Sequence, residues 1–339
     1  MECKIVTLNY IKKVIFKIKG GIHMYRKIAA SILMAFVIVG SFLGASYAAE
    51  FVRIGTSSIG GGFYLIGNTI AQVGNQLKIG INYTAVTGGS TKNLISLSKK
   101  DVEFGLAQSA ALDEAYRGIG GFEGRPLKQL RFVTAVYPMP AHVLVSGEGI
   151  DSITDLKGRK VDFGPIGGGI ETNCRIVLGA YGIKDEDIKI DRYGRSEVVE
   201  ALQTGTVNGH IWFTTYPNAQ IQEMLTKNVR LLPIDPEHRD AILEQYPFFT
   251  LSVIPAGTYK GYDQDIPTVA AIGALITYAD MDEDVVYKTV KMMYENSQLL
   301  KDRLPSYFSN FSIENALNGC SIEVHPGALK YYRECGLVK

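Results

Sequence analysis

The chain has 339 residues, with 35 Lys and Arg against 34 Asp and Glu, a formal net charge of +1, and 46% hydrophobic residues. That balance, without a run of Lys or Arg, argues against a nucleic-acid binder. The length suffices for a large core, most simply in two domains, and no Cys/His spacing resembles a metal site.

The first predicted element is an export signal. Met24-Tyr25-Arg26-Lys27 is a short basic segment, an apolar run follows from Ile32 to Leu43, and Ser46-Tyr47-Ala48 gives a small-x-small cleavage pattern. Cleavage after Ala48 is expected, with a periplasmic destination; the alternative is an uncleaved anchor helix, since Ile28 to Tyr47 is about long enough to span a bilayer. Residues 1–23 fit no such signal and read as an extension ahead of Met24. Beyond residue 48 the chain carries 28 basic and 33 acidic residues, a net charge of −5. No apolar stretch there is long enough to span a bilayer.

Short apolar strands then alternate with amphipathic helices. A strand at Phe51–Gly55 leads through a Gly/Ser loop into a helix over Phe63–Leu77. Next come a strand at Tyr83–Val86, a helix over Ser90–Ser98 and a strand at Val102–Leu106. Later strands are predicted at Phe132–Val136, His142–Val145, Lys160–Phe163, Ile188–Tyr193, Val207–Phe213, Val229–Leu232 and Ala271–Ile276. Helices are predicted at Ile170–Tyr181, Ser196–Thr204, Asn218–Thr226, Pro236–Glu244 and Asp282–Asn296. This alternation predicts an α/β protein with largely parallel sheets. A faint internal echo, in which Ser90 through Phe104 resembles Ser196 through Gly209, suggests two lobes. Ligands bind beyond the carboxyl ends of parallel strands, so facing lobes would form a cleft.

Two glycine loops stand at such strand ends, Gly55 through Tyr64 and Gly164 through Asn173. Free N–H groups at a helix start attract anions, and glycine permits close approach. Neither loop is a phosphate loop or a dinucleotide fingerprint. Each is equally readable as a plain tight turn. Thr87 through Asn93 forms a third loop, where Ser90 is either an N-cap or a ligand contact. Trp212 could wall a pocket, although core packing suits it and Phe213 better. His142 begins a strand near the lobe crossover, within reach of a ligand, and His325 organises a turn. No nucleophile stands in a recognised setting, so no catalytic residue is assigned. Cys174 reads as a small buried apolar residue. Cys320 and Cys335 either pair or remain thiols; a bridge between them is the expectation.

Taken in order, the stretch from Ile54 to Tyr64, Thr87-Gly88-Gly89-Ser90 with Asn93-Leu94, Gln108-Ser109, Ile153 through Val161, Gly167 through Arg175, Tyr216-Pro217 and His325-Pro326-Gly327-Ala328 with Tyr331-Tyr332 resemble the TAXI subfamily of TRAP-transporter solute receptors. The resemblance implies a two-lobed periplasmic-binding-protein fold of type II. Residues 49–140 and 255–339 would form one lobe and residues 141–254 the other. It implies a monomer that binds a small organic anion in the cleft, such as a dicarboxylate, a 2-oxo acid or glutamate, and delivers it to a sodium-coupled TRAP permease. No cofactor and no metal are implied. The alternative is an exported enzyme or a sensor's ligand-binding protein on the same fold. The contacts that carry over are Ser57, Ser58, Gly61, Tyr64, Ser90, Asn93, Gln108 and Ser109 from the first lobe. From the second they are Gly168, Gly169, Glu171, Thr172, Asn173, Thr214, Thr215, Tyr216 and Pro217. Apart from the resemblance, Arg175 and Arg195 are candidate supplements to an anion clamp, or else pair only with surface acids. Relatives often carry Gly-Ser-Gly-Thr where this chain has Gly167-Gly168-Gly169-Ile170, and Asp where it has Ala110. Fewer hydroxyls and one acid fewer fit an anionic solute with a less polar tail.

Overall fold

The computed structural model describes residues 50–164, 169–194, 196–225 and 228–339. The export signal, Gly168 and Arg195 lie outside these. β1 (Glu50–Gly55), β2 (Ile81–Val86) and β3 (Phe104–Gln108) run parallel in the order β2–β1–β3. α1 (Gly62–Leu77) joins β1 to β2, α2 (Ser90–Ser98) joins β2 to β3, and α3 (Ser109–Arg117) follows β3. α1 forms because Phe63, Ile66, Ile70 and Val73 recur at helical spacing, and that stripe is buried.

β4 (Leu130–Ser146) carries the chain from one lobe to the other. Its first part pairs with β10 (Ile266–Tyr278), which runs antiparallel between β3 and β4. Its last part pairs with β7 (Gly209–Phe213) and β8 (Val229–Leu232). In the second lobe β7, β5 (Lys160–Asp162) and β6 (Lys189–Asp191) are parallel. α4 (Gly169–Ala180), α5 (Glu197–Gln203), α6 (Ala219–Met224) and α7 (Pro236–Gln245) flank them. β9 (Phe249–Ile254) returns the chain to β10. α8 (Glu283–Glu295), α9 (Ser297–Arg303), α10 (Pro305–Phe308) and α11 (Pro326–Glu334) complete the first lobe. This is the expected α/β architecture of two lobes with a cleft.

The structure differs from expectation in several places. The sheets are mixed rather than largely parallel, because β4 and β10 run antiparallel to their neighbours, and α9 to α11 were not expected. The strands expected at Phe132–Val136 and His142–Val145 are one, β4, because Pro138 and Pro140 stand where the strand exchanges neighbours and lost ladder donors matter least. β9 was not predicted. Cys320 and Cys335 are both free, so the expected bridge is not formed; the Cys320 thiol instead donates to the Ile322 carbonyl at 3.1 Å. Cys174 is fully buried, its thiol pushed up to about 12 by burial, as suits a core residue.

His325 organises its turn. Its Nδ1 accepts the Gly327 N–H at 3.2 Å and caps α11 ahead of Pro326. A Cβ on Gly327 would stand 2.3 Å from the Glu283 carbonyl oxygen at the start of α8. Backbone cannot yield as a side-chain tip does, so Gly327→Ala is expected to cost about 1–3 kcal/mol. Gly179→Ala, on α4 with open space around it, should be neutral or stabilising by up to about 1 kcal/mol. Urea unfolding of the pair checks this; equal effects would refute the packing argument.

Candidate functional site

The carboxyl ends of β1, β3 and β7 open onto one cavity of about 500 Å³ between the lobes. β1 leads into the turn bearing Ser57, Ser58, Gly60 and Gly61, which ends at the start of α1. From the first turn of α1 the Tyr64 N–H donates back to Ser57 Oγ at 3.1 Å. β3 supplies Gln108, β7 supplies Trp212, Phe213, Thr214 and Thr215, and α4 supplies Ile170 and Asn173. The first amides of α1, at Gly62 and Phe63, have no acceptor within their own helix and carry its positive dipole end.

Two hydrogen bonds cross the cleft beside this cavity. Asn173 Nδ2 donates to Gln108 Oε1 at 3.3 Å, and Thr172 Oγ1 donates to Glu114 Oε1 at 3.0 Å. Burial raises the Glu114 carboxyl above its ordinary range against the pull of the Thr172 hydroxyl; the charges of Asp113 and Glu171 raise it further. Asn173 is 1% exposed, and its Oδ1 has no hydrogen-bond partner among the described residues.

Ser57, Ser58, Gly61, Gln108, Asn173, Thr214 and Thr215 thus come together on the cavity. Other expected contacts are spent elsewhere. Asn93 is 2% exposed, and its Nδ2 donates to the carbonyls of Thr56 and Leu106, each at 2.7 Å. Ser109 is fully buried, donating to the Phe248 carbonyl and accepting the Ile272 N–H. Ser90 is the first residue of α2, not its cap, and its hydroxyl accepts the Gln108 N–H. The Glu171 carboxylate is held by Arg175 at 2.6 Å and Arg192 at 2.9 Å, and Thr172 serves Glu114. Arg175 also pairs with Asp185, away from the cleft. Tyr216 faces a separate cavity of about 240 Å³, Pro217 is exposed, and Tyr64 is half-buried outside the lining. Gly169 is described only as the first residue of α4. His142 is fully buried, with Nδ1 against the Pro140 carbonyl at 3.1 Å and Nε2 against the Tyr259 hydroxyl at 2.8 Å. It does not reach the cleft.

Sequence reasoning missed the aromatic wall. Tyr137 meets Tyr307 edge-on with centroids 5.2 Å apart, and Phe63 at 6.0 Å. Tyr137 and Met139 come from the crossover part of β4, and Tyr307 from α10. The Tyr-Pro-Met-Pro segment at the crossover was the available signal for the first two; Tyr307 had none. Trp212, at 6% exposure, both packs and lines the cavity. Asn218 and Gln220 add amides; Asn218 Nδ2 donates to Thr214 Oγ1 at 3.2 Å. Among the described lining residues none is charged. Nor, among the described residues, are three or more His, Cys, Asp and Glu grouped to hold a metal.

A family model described as the NMT1-like family matches residues 54–336. Solved structures similar to the chain include the periplasmic aliphatic sulphonate binding protein SsuA from Escherichia coli, at 16% identity and a TM-score of 0.49, covering 84% of this chain and 83% of that one. A putative L-cystine ABC transporter from Listeria monocytogenes is similar at 13% and 0.45, covering 78% and 98%. The probable amino-acid ABC transporter extracellular-binding protein ytmK from Bacillus subtilis is similar at 14% and 0.46, covering 78% and 100%. These likenesses are too distant to bear on ligand or activity. The two-lobed architecture rests on the strand order itself.

Proposed function

The chain belongs to the NMT1-like family, and on that premise we propose that it is an exported solute receptor. It closes its lobes on a small organic anion and hands it to a membrane permease; the sodium-coupled TRAP type is the partner that the TAXI resemblance favours. It works as a monomer in the periplasm after cleavage behind Ala48, and it catalyses no reaction.

The observation that carries this reading is the interlobe cavity at three strand ends, whose described lining has neutral amides, hydroxyls and aromatic rings but no charged side chain. An anion there is held by the N-terminal amides of α1 and by Ser57, Gln108 and Asn173. With no Lys or Arg among the described lining residues to balance a second charge, a monoanion with an apolar remainder suits the cavity better than a dicarboxylate or glutamate. Native mass spectrometry of the purified protein, then calorimetry with the acid it carries, tests this. Gln108→Ala should weaken binding about tenfold, the worth of one bond to a charged group. Retention of full affinity in a folded variant, or no bound acid in any preparation, would defeat the reading.

A further inference from the structure

A second, smaller cavity lies behind the cleft. Its volume is about 160 Å³, and its described lining, Asp162, Gly164, Ile170, Tyr193, Val198, His210 and Trp212, offers it a surface almost wholly of carbon. Ile170 and Trp212 also line the cleft, so these two side chains are the partition between the two spaces. His210 and Trp212 are two apart on β7 and so share one face of the sheet, their ring centroids 6.2 Å apart. That face leads inward from the cleft, past the indole, to the imidazole.

At the inner end stands a polar pair. Asp162 Oδ2 and His210 Nδ1 are 2.9 Å apart, with side chains 1% and 3% exposed. The two atoms face each other closely but out of line for a hydrogen bond, and neither has a hydrogen-bond partner among the described residues. Asp162 Oδ1 is satisfied by the Tyr193 N–H at 2.7 Å. A buried polar atom without a partner costs free energy, and a group that satisfied it would recover that loss. An apolar cavity of about 150 Å³ is the size that takes up benzene.

We propose that this cavity is an inner subsite for the ring-sized apolar end of the solute, with a hydroxyl at its tip donating to Asp162 Oδ2 and accepting from His210 Nδ1. The solute class is then a hydroxyaryl carboxylate: carboxylate at the α1 amides, ring behind Trp212, hydroxyl at the Asp162–His210 pair. The assignment of the carboxylate rests on the receptor reading above. The assignment of the ring does not.

Three probes separate the two in calorimetry and thermal shift on the exported chain: phenylacetate, 4-hydroxyphenylacetate and phenol. The expected result is at least tenfold tighter binding of 4-hydroxyphenylacetate than of phenylacetate, together with a rise in melting temperature in phenol alone. Val198→Phe, which fills the cavity, should bring the ratio of the two acids to about one and abolish the phenol shift. If that variant does not fold, the wild-type ratio and the phenol shift decide alone. Phenol stabilisation without binding of any acid would uphold the subsite and defeat the receptor reading. Acid binding without hydroxyl preference or phenol shift would overturn the subsite and leave the receptor reading standing.

Discussion

Asn93→Ala should lower the stability of the protein by about 3 kcal/mol. The side chain bridges two strand ends, with both amide hydrogens given to the carbonyls of Thr56 and Leu106 at 2.7 Å, while its Oδ1 receives the Gly89 N–H at 3.4 Å. The surrounding glycines leave room for it. A Cβ on Gly88 would stand 2.0 Å from Asn93 Oδ1, and one on Gly55 would stand 2.7 Å from it. Alanine strips the donors and leaves two buried carbonyls unsatisfied, each costing about 1–3 kcal/mol, with a small void besides. Asn93→Asp should be at least as harmful, because an ionised carboxylate offers no donor and faces two carbonyl oxygens. Urea unfolding should show a lower midpoint with an unchanged slope. A loss below about 1 kcal/mol in either variant would mean that the bridge is not a main tie between these strand ends. Because Ser57 and Gln108 lie just beyond those ends, any drop in ligand affinity in a folded Asn93 variant is expected to follow from their displacement.

Asn93 also shows where sequence reading ran out. The rule that ligands meet the carboxyl ends of strands placed Ser57, Gln108 and Thr214 on the cavity, because position along a parallel strand is legible from alternation. Which way a polar side chain turns at that position is not. Asn93 and Ser109 stand at the same level of the fold, yet they turn inward and serve backbone carbonyls. A one-dimensional pattern gives a polar residue the same appearance whether it serves solute or backbone. Tyr137 and Tyr307 come from segments 170 residues apart that meet only in three dimensions, so no local signal joins them. β9 alternates as Phe249-Thr250-Leu251-Ser252-Val253-Ile254, but its position at the sheet's margin leaves Leu251 60% exposed and blurs the hydrophobic period. The helices from Glu283 to Phe308 were legible only in their first part, since Pro305 and the short α9 break the 3.6-residue period.

Acidification should weaken the protein between about pH 6.5 and pH 4, and His142 should account for most of that loss. The imidazole is fully buried on β4, where the chain passes between the lobes, and burial holds it down to about 4. In its neutral form both nitrogens are served: Nδ1 donates to the Pro140 carbonyl and Nε2 accepts the Tyr259 hydroxyl. An unfolded chain protonates this residue near 6.5. Between the two values the unfolded state binds a proton that the folded state refuses, so stability falls as pH falls. The full contribution is present above about 6.5, declines through the window, and is spent below about 4. Its size, from the separation of the two values, is about 3 kcal/mol. Denaturant midpoints measured across that window should slope downward towards acid. His142→Gln should flatten the slope, because glutamine can donate and accept but takes up no proton, although it lowers the plateau near neutrality through poorer packing. The same slope in wild type and variant would exonerate His142 and shift the acid sensitivity to other groups. A flat wild-type profile would mean that water reaches the ring.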